Sequence, residues 1–252
     1  MAIKVYTLSN GLRVVLRPES YGSAYMTLVT RAGSRFERPE ELGISHIFEH
    51  LCVRNSKIHY EVESLGEGLS KAETDAEDVS YLFSFPKRNV LKGVKTFARL
   101  WMAPLSIEDF ENERTVIGIE YVGANENPED VLDDLFLRTA WQGHPLGMND
   151  TVPWQRNLSN LTFEQFSAFR QRVNCGRNTV LAVAGEVPVQ PFLEVLERTL
   201  GTLPEGELLS VERHPLLVRE GFTVVKQAGA LEQVHCLLGF SLPYLRSSER
   251  RA

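Results

Sequence analysis

Cysteine is scarce in this sequence, and the three present, Cys52, Cys175 and Cys236, lie far apart and outside any Cys-x-x-Cys pair. That excludes a disulfide framework and a thiolate zinc site, and leaves three residues expected as buried thiols. No apolar run approaches the ~18 residues that a membrane helix needs, so no membrane partner is expected. The opening stretch MAIKVYTLSN lacks an apolar core and a small-residue cleavage pattern, which points to a cytoplasmic protein. An excess of basic residues is missing too. The 33 acids outnumber 27 Lys plus Arg for a net charge of −6, which argues against nucleic acid as a partner. Glycines fall in turns without a phosphate-binding pattern, so no nucleotide cofactor is expected. What is there, 252 residues that are 43% hydrophobic and 24% charged, is a globular balance sufficient for one large domain or two small ones.

Gly11–Leu16, behind the Asn10-Gly11 turn pair, and Ala24–Thr30, which alternates before Ala32-Gly33, predict two strands paired as an antiparallel hairpin. The spacing predicts a short helix over 43–53, a strand over Asp78–Phe85 stopped by Pro86, and a helix from Val90 to Trp101 ended by Pro104. Ser106 reads as an N-cap, with Glu108, Asp109 and Glu111 in the first turn of a helix running toward Val122. Next come a helix near Val131–Ala140, a loop through Gly143–Gly147 and a helix opened by the capping box Thr162-x-x-Gln165. A buried strand Thr179–Ala184 and a helix from Gln190 to Leu200 follow. Without regular β-α-β alternation, this pattern predicts the α+β class with a mainly antiparallel sheet. Turn residues cluster at Gly201–Gly206 and mark a domain end. Beyond it, Glu220–Val225 and Gln233–Gly239 weakly echo the opening strands, as if a second copy had begun.

The sharp feature is His46-Ile-Phe-Glu49-His50. Positions four apart on a helix share a face at about 6 Å, so both imidazoles can reach one ion with Glu49 beside them. Neutral imidazoles with an open coordination position suit zinc, which lowers the pKa of bound water to about 7; Glu49 can take the proton as that water attacks a peptide carbonyl. The bland alternative is two surface histidines around an incidental acid. With six His in the chain, a pair framing Glu at ligand spacing speaks against coincidence. His-x-x-Glu-His is, moreover, the established inverzincin signature. A catalytic zinc takes a third protein ligand, commonly a carboxylate. Glu113 and Glu120, seven residues apart on one helix, point the same way about 10 Å apart, and the spacing leaves open which of them ligates. His59, His144, His214 and His235 are scattered and expected in turns, surface or core, and Trp101, Trp141 and Trp154 in packing.

With their surroundings these residues resemble a known family. Gly33-Ser-Arg-Phe-Glu37, Gly43-Ile-Ser-His46-Ile-Phe-Glu49-His50, Gly68-Leu-Ser-Lys-Ala-Glu-Thr74 leading to Tyr81, and Glu113-Arg-Thr-Val-Ile-Gly-Ile-Glu120 are similar to the pitrilysin/insulinase-type (inverzincin) metallopeptidases. So are Asn127-Pro128, His144-Pro-Leu-Gly147 and Asn178-Thr-Val-Leu-Ala-Val-Ala-Gly185. The family includes the mitochondrial processing peptidases, and the resemblance spans about residues 8 to 205 in order. It implies that His46, His50 and Glu120 bind one Zn2+, that Glu49 is the general base, and that Glu113 is a supporting acid of the catalytic site. It further implies that Leu69, Ser70, Lys71, Ala72, Glu73 and Thr74 form an edge strand to which an extended peptide substrate adds itself. The fold it implies is a pair of α+β domains, each a mainly antiparallel sheet with helices packed on one face. Two such halves, on one chain or two, close over an unfolded peptide. On that pattern residues 1–208 form the zinc-binding domain, and 209–252 a linker and the opening hairpin of a truncated second domain.

The sequence departs from the family at three places. Lys71 stands where the family usually has Asn, and a cation there favours acidic residues in the peptide. Asn149-Asp150-Thr151 does not match the Gly-containing turn that usually follows the His-Pro-Leu-Gly motif. No segment matches the second half, whose Arg and Tyr hold the scissile carbonyl and its oxyanion, and one such donor is worth about 10²–10³ in rate. The expectation is a zinc endopeptidase subunit, weak alone, that hydrolyses peptides or short unfolded segments once a complementary half or an oligomer partner is supplied in trans. The alternatives are a non-catalytic assembly subunit that keeps the peptidase fold, and a metal-free α+β binding module.

Overall fold

Strand alternation decides where the core lies in the computed structural model, which describes residues 2–141, 147, 157–210 and 233–239. Six strands, β1 (Lys4–Thr7), β2 (Arg13–Pro18), β3 (Ser23–Thr30), β4 (Gly68–Thr74), β5 (Val79–Pro86) and β6 (Thr179–Gly185), form one sheet in the order β1-β2-β6-β3-β5-β4. Across four strands the register sets Val14, Leu181, Leu28 and Tyr81 side by side, and next to them Leu16, Val183, Met26 and Phe83. All of these are buried, whereas the alternate positions Val15, Ala182, Thr27 and Leu82 are partly exposed or exposed. The period of two therefore gives the sheet one core face.

Seven helices accompany the sheet among the described residues: α1 (Ile44–Val53), α2 (Ser56–Glu63), α3 (Val90–Trp101), α4 (Ile107–Glu126), α5 (Pro128–Ala140), α6 (Phe163–Val173) and α7 (Val189–Glu197). Helices α1 and α3 meet the core face through aromatic contacts. Phe97 stacks on Phe83 with centroids 3.7 Å apart, and Trp101 meets Phe48 and Tyr81 edge-on at 6.5 and 6.4 Å. Helix α3 can approach this closely because residue 93 is glycine; a Cβ there would lie 2.4 Å from the Phe85 ring. The α+β class, the mainly antiparallel sheet and the helices on one face are thus as expected, with β2 and β6 the single parallel pair among the described residues.

The expected hairpin of β2 and β3 is corrected: β6 lies between them, parallel to β2 and antiparallel to β3. Strands are about 4.8 Å apart, so β2 and β3 stand about 10 Å from each other. The four residues Glu19–Gly22 cover that span at up to about 3.3 Å each, held by Glu19 N–H to Gly185 O and Glu186 N–H to Ser23 O. The Asn10-Gly11 turn instead joins β2 to β1, a strand the alternation did not announce. Helix α2 was not anticipated either, and α4 runs to Glu126, past Val122. Cys52 and Cys175 are buried, but Cys236 is exposed, on the stretch 233–239, which has no regular secondary structure. Residues 204–209 stay attached to the sheet domain through Gly176 N–H to Pro204 O, Arg177 N–H to Glu205 O and the Arg31 guanidinium to Leu209 O. Glu220–Val225, the loop at 143–146, Trp154, His214 and the turn at 149–151 lie outside the described residues.

Two carboxylates pin the segment that leads into α1. Gly43 takes the left-handed conformation (φ 92°), and Glu37 accepts the Gly43 and Ser45 N–H groups, both at 2.9 Å, at the start of the helix. Glu41, 2% exposed, accepts two hydrogen bonds from Arg172 (3.2 and 2.6 Å), whose guanidinium also donates to Phe36 O and lies over the Phe169 ring. Burial works to raise the Glu41 carboxyl, but the Arg172 and Arg38 contacts outweigh it and hold it below its usual value.

Removing one partner of such a pair strands a buried charge. Arg172→Met is expected to lower stability by roughly 3–5 kcal/mol in urea denaturation, and an unchanged midpoint would show that the pair does not hold this segment. Glu37 behaves oppositely, since burial raises its carboxyl from 4.5 to about 7 against the Ser45 and Gly43 hydrogen bonds. Between those values the folded chain binds more protons than the unfolded one, so stability falls as pH rises from about 4.5 to 7. In Glu37→Gln that stretch of the stability–pH curve should flatten; a slope equal to wild type would refute the assignment.

Candidate metal centre

Helix α1 is amphipathic in an unusual sense: Ile44, Ile47, Phe48 and Leu51 are locked into the core, which turns His46 and His50 toward α4. Their Nε2 atoms stand 3.2 Å apart, and Glu120 Oε2 on α4 lies 3.4 Å from the first and 3.5 Å from the second. A tetrahedral ion with bonds of about 2.0–2.2 Å holds its ligands about 3.3–3.6 Å from one another, so two imidazole nitrogens and a carboxylate oxygen form the triangle that zinc requires. The donor set fits the metal in chemistry as well as in spacing. Burial, and then the neighbouring His50, push His46 down to about 4, which keeps it the neutral imidazole that ligates.

Glu113 and Glu120 occupy different places about the two histidines. Glu113, 2% exposed, sits behind the His50 ring, where its Oε2 accepts from Nδ1–H at 2.8 Å while Oε1 pairs with Arg54. A carboxylate oxygen accepts, so with Nδ1 donating to Glu113 the Nε2 lone pair of His50 faces His46 and Glu120. Glu49 is one turn on from His46, and its Oε2 accepts a 2.6 Å hydrogen bond from Thr74 Oγ1. Burial raises the Glu49 carboxyl above its usual range, against the Thr74 bond and His50 and with help from Glu120 and Glu73. A carboxyl so tuned is suited to receiving a proton.

Leu69, Ser70, Lys71, Ala72, Glu73 and Thr74 all lie on β4, the last strand of the sheet, whose outer edge is unpaired among the described residues. A bulge between Leu69 and Lys71 takes Ser70 out of register, and its hydroxyl donates to Leu82 O at 3.1 Å. Lys71 is not a free cation: its ammonium contacts Glu73 at 2.7 Å. The strand ends at Thr74, against the Glu49 carboxylate. Beside Glu49 and His50 opens a cleft of about 540 Å³, bounded also by Val53, Arg54, His59 and Tyr60.

Two contributors were not singled out in the sequence. Tyr121 lies with its hydroxyl 3.3 Å from His46 Nδ1, and burial, followed by Glu37, Glu120 and Glu49, holds its phenol far above the usual range. Its signal was adjacency to Glu120. Arg54, four residues after His50 and thus on the same helical face, shares Glu113 with it. His59 accepts the role expected of it, facing Val53 O and Glu63 on α2, and His235 faces Glu129; neither joins the donor triangle.

Comparison with known proteins agrees with this geometry. Residues 13–152 match the family described as Insulinase (Peptidase family M16), and residues 160–252 match the one described as Peptidase M16 inactive domain. A Rickettsia felis protein described as an "uncharacterized zinc protease" is 28% identical over 94% of this chain and 58% of its own length. Cytochrome b-c1 complex subunit 1 of Mus musculus is 29% identical over 79% of this chain and 43% of its own. The chain thus spans about half the length of these relatives. A protease from Helicobacter pylori shares the fold, with a TM-score of 0.76 at 24% identity over 87% of this chain and 55% of that one. The match over residues 13–152 takes in more than half of the chain together with His46, Glu49, His50, Glu113 and Glu120, and the protein belongs to the insulinase (M16) peptidase family.

Proposed function

We propose that this chain is the metal-binding half of a zinc endopeptidase that cleaves peptides or short unfolded segments and is completed by a second half in trans. The observation that carries this reading is the triangle of His46 Nε2, His50 Nε2 and Glu120 Oε2, with Glu49 alongside. Zinc held by these three residues supplies Lewis-acid activation of a water and of the substrate carbonyl. Glu49 takes the proton of the attacking water at its carboxylate, and Thr74 fixes the direction in which that carboxylate points. Glu113 sets the tautomer and orientation of His50. The free edge of β4 pairs with an extended peptide and carries it toward Thr74 and Glu49, while the cleft beside Val53 and Tyr60 accepts a side chain. An acidic peptide residue near Lys71 would have to displace Glu73, so the charge preference expected of Lys71 is muted by its own neighbour.

A second half supplies the oxyanion donors in this reading. A subunit that keeps the fold without catalysis is the second reading. It is favoured by the likeness to a cytochrome b-c1 complex subunit and opposed by the complete set of His46, Glu49, His50 and Glu120.

The purified chain is expected to carry close to one zinc, read by mass spectrometry of metal content. Glu120→Gln should lose it, and Glu113→Gln should bind it about 10–100-fold more weakly. Loss in Glu113→Gln but not in Glu120→Gln would reverse the ligand assignment. With the complementary half present, Glu49→Gln should keep the metal and slow peptide hydrolysis by about 10²–10⁴-fold; hydrolysis at the wild-type rate would remove Glu49 from the chemistry.

A further inference from the structure

Helices α1 and α4 meet in opposite directions, so that His46, near the start of α1, lies against Glu120 and Tyr121, while His50, one turn on, lies against Glu113. Each imidazole is consequently contacted at both nitrogens. Nε2 of each faces the donor triangle, and Nδ1 of each faces a side chain of α4: Glu113 Oε2 at 2.8 Å for His50 and Tyr121 Oη at 3.3 Å for His46. The Tyr121 ring, 6% exposed, lies against the His46 ring with centroids 5.7 Å apart at 49°. A ring in that position has little freedom to leave.

An imidazole that gives its Nε2 lone pair to a cation keeps its proton on Nδ1, and a partly buried N–H requires an acceptor. For His50 the acceptor is a carboxylate. We propose that Tyr121 is the positioning residue for the other ligand, its hydroxyl accepting the His46 Nδ1–H and holding the ring so that Nε2 points at the His50 and Glu120 donors. This rests on reading the three donors as a zinc site. Two consequences follow from the placement. Tyr121 is the residue after Glu120, so ligand and brace ride on one turn of α4, and a shift of that turn withdraws both together. A neutral phenol also polarises an imidazole less than a carboxylate does, which makes His46 the less electron-rich of the two histidine ligands.

Tyr121→Phe keeps the ring and deletes the hydroxyl. Against wild type it should bind zinc about 10–100-fold more weakly in chelator competition. With cobalt as the probe, its visible absorption bands should shift, because one ligand is no longer fixed in direction. Thermal unfolding of the metal-free chain should change little. Equal zinc affinity together with an unchanged cobalt spectrum overturns the proposal while leaving the zinc site intact. A wild-type chain that takes up no zinc overturns both. Should Tyr121→Phe fail to fold, the zinc-loaded wild type decides: nitrogen-15 NMR should show His46 protonated at Nδ1 with that proton protected from exchange, and an unprotected or absent Nδ1 proton overturns the assignment.

Discussion

Burial of Ile44, Ile47, Phe48 and Leu51 fixes the rotation of α1 about its own axis, and every distance in the metal centre depends on that rotation. Turning His46 and His50 away from α4 would pull Phe48 off Trp101 and Phe169, contacts at 6.5 and 6.0 Å between ring centroids. Each large apolar side chain so buried contributes roughly 1.5–3 kcal/mol, far more than the preference of an exposed imidazole for any one direction. The site is therefore positioned by the core, with Glu37 holding the start of the same helix through Gly43 and Ser45.

Charge is arranged so that the centre costs little to fold. The two imidazoles are partly buried, burial holding His46 neutral, and the one carboxylate of the donor triangle, Glu120, has 47% of its side chain exposed and stays hydrated. The deeply buried carboxylate, Glu113, is removed from the triangle and paired with Arg54 and His50. His46 Nε2, His50 Nε2 and Glu120 Oε2 converge at 3.2–3.5 Å, a spacing that matches the donor separations around a tetrahedral divalent ion.

What the sequence made legible follows from what each signal encodes. His46, Glu49 and His50 were readable because spacing on a helix is local, and the helix caps at Ser106 and Thr162 for the same reason. The choice between Glu113 and Glu120 was not, because two positions seven apart share a face, and which one reaches His50 from behind depends on where α4 crosses α1. Alternation identified β2, β3, β5 and β6 as strands but carried no information about neighbours, so the insertion of β6 between β2 and β3 stayed hidden. Helix α2 escaped because Ser56–Glu63 buries little beyond Val62, leaving a faint apolar period. The resemblance to the metallopeptidases supplied the family, and the structure set Glu120 beside both histidine Nε2 atoms and Glu113 behind the His50 ring.

The insertion of β6 also governs how the chain can assemble. Strands β2 and β3 are joined by four residues, yet the strand that fills the gap between them begins at Thr179. Until that segment has emerged from the ribosome, both β2 and β3 present an open edge on the inside of the sheet, and the rows of Val14, Leu16, Met26 and Leu28 remain only partly covered. Helices α1 and α4 and strand β4 are all made earlier, so the elements that carry His46, Glu49, His50 and Glu120 exist before the sheet beneath them can close, and a nascent chain has to be kept from pairing with its neighbours during that interval.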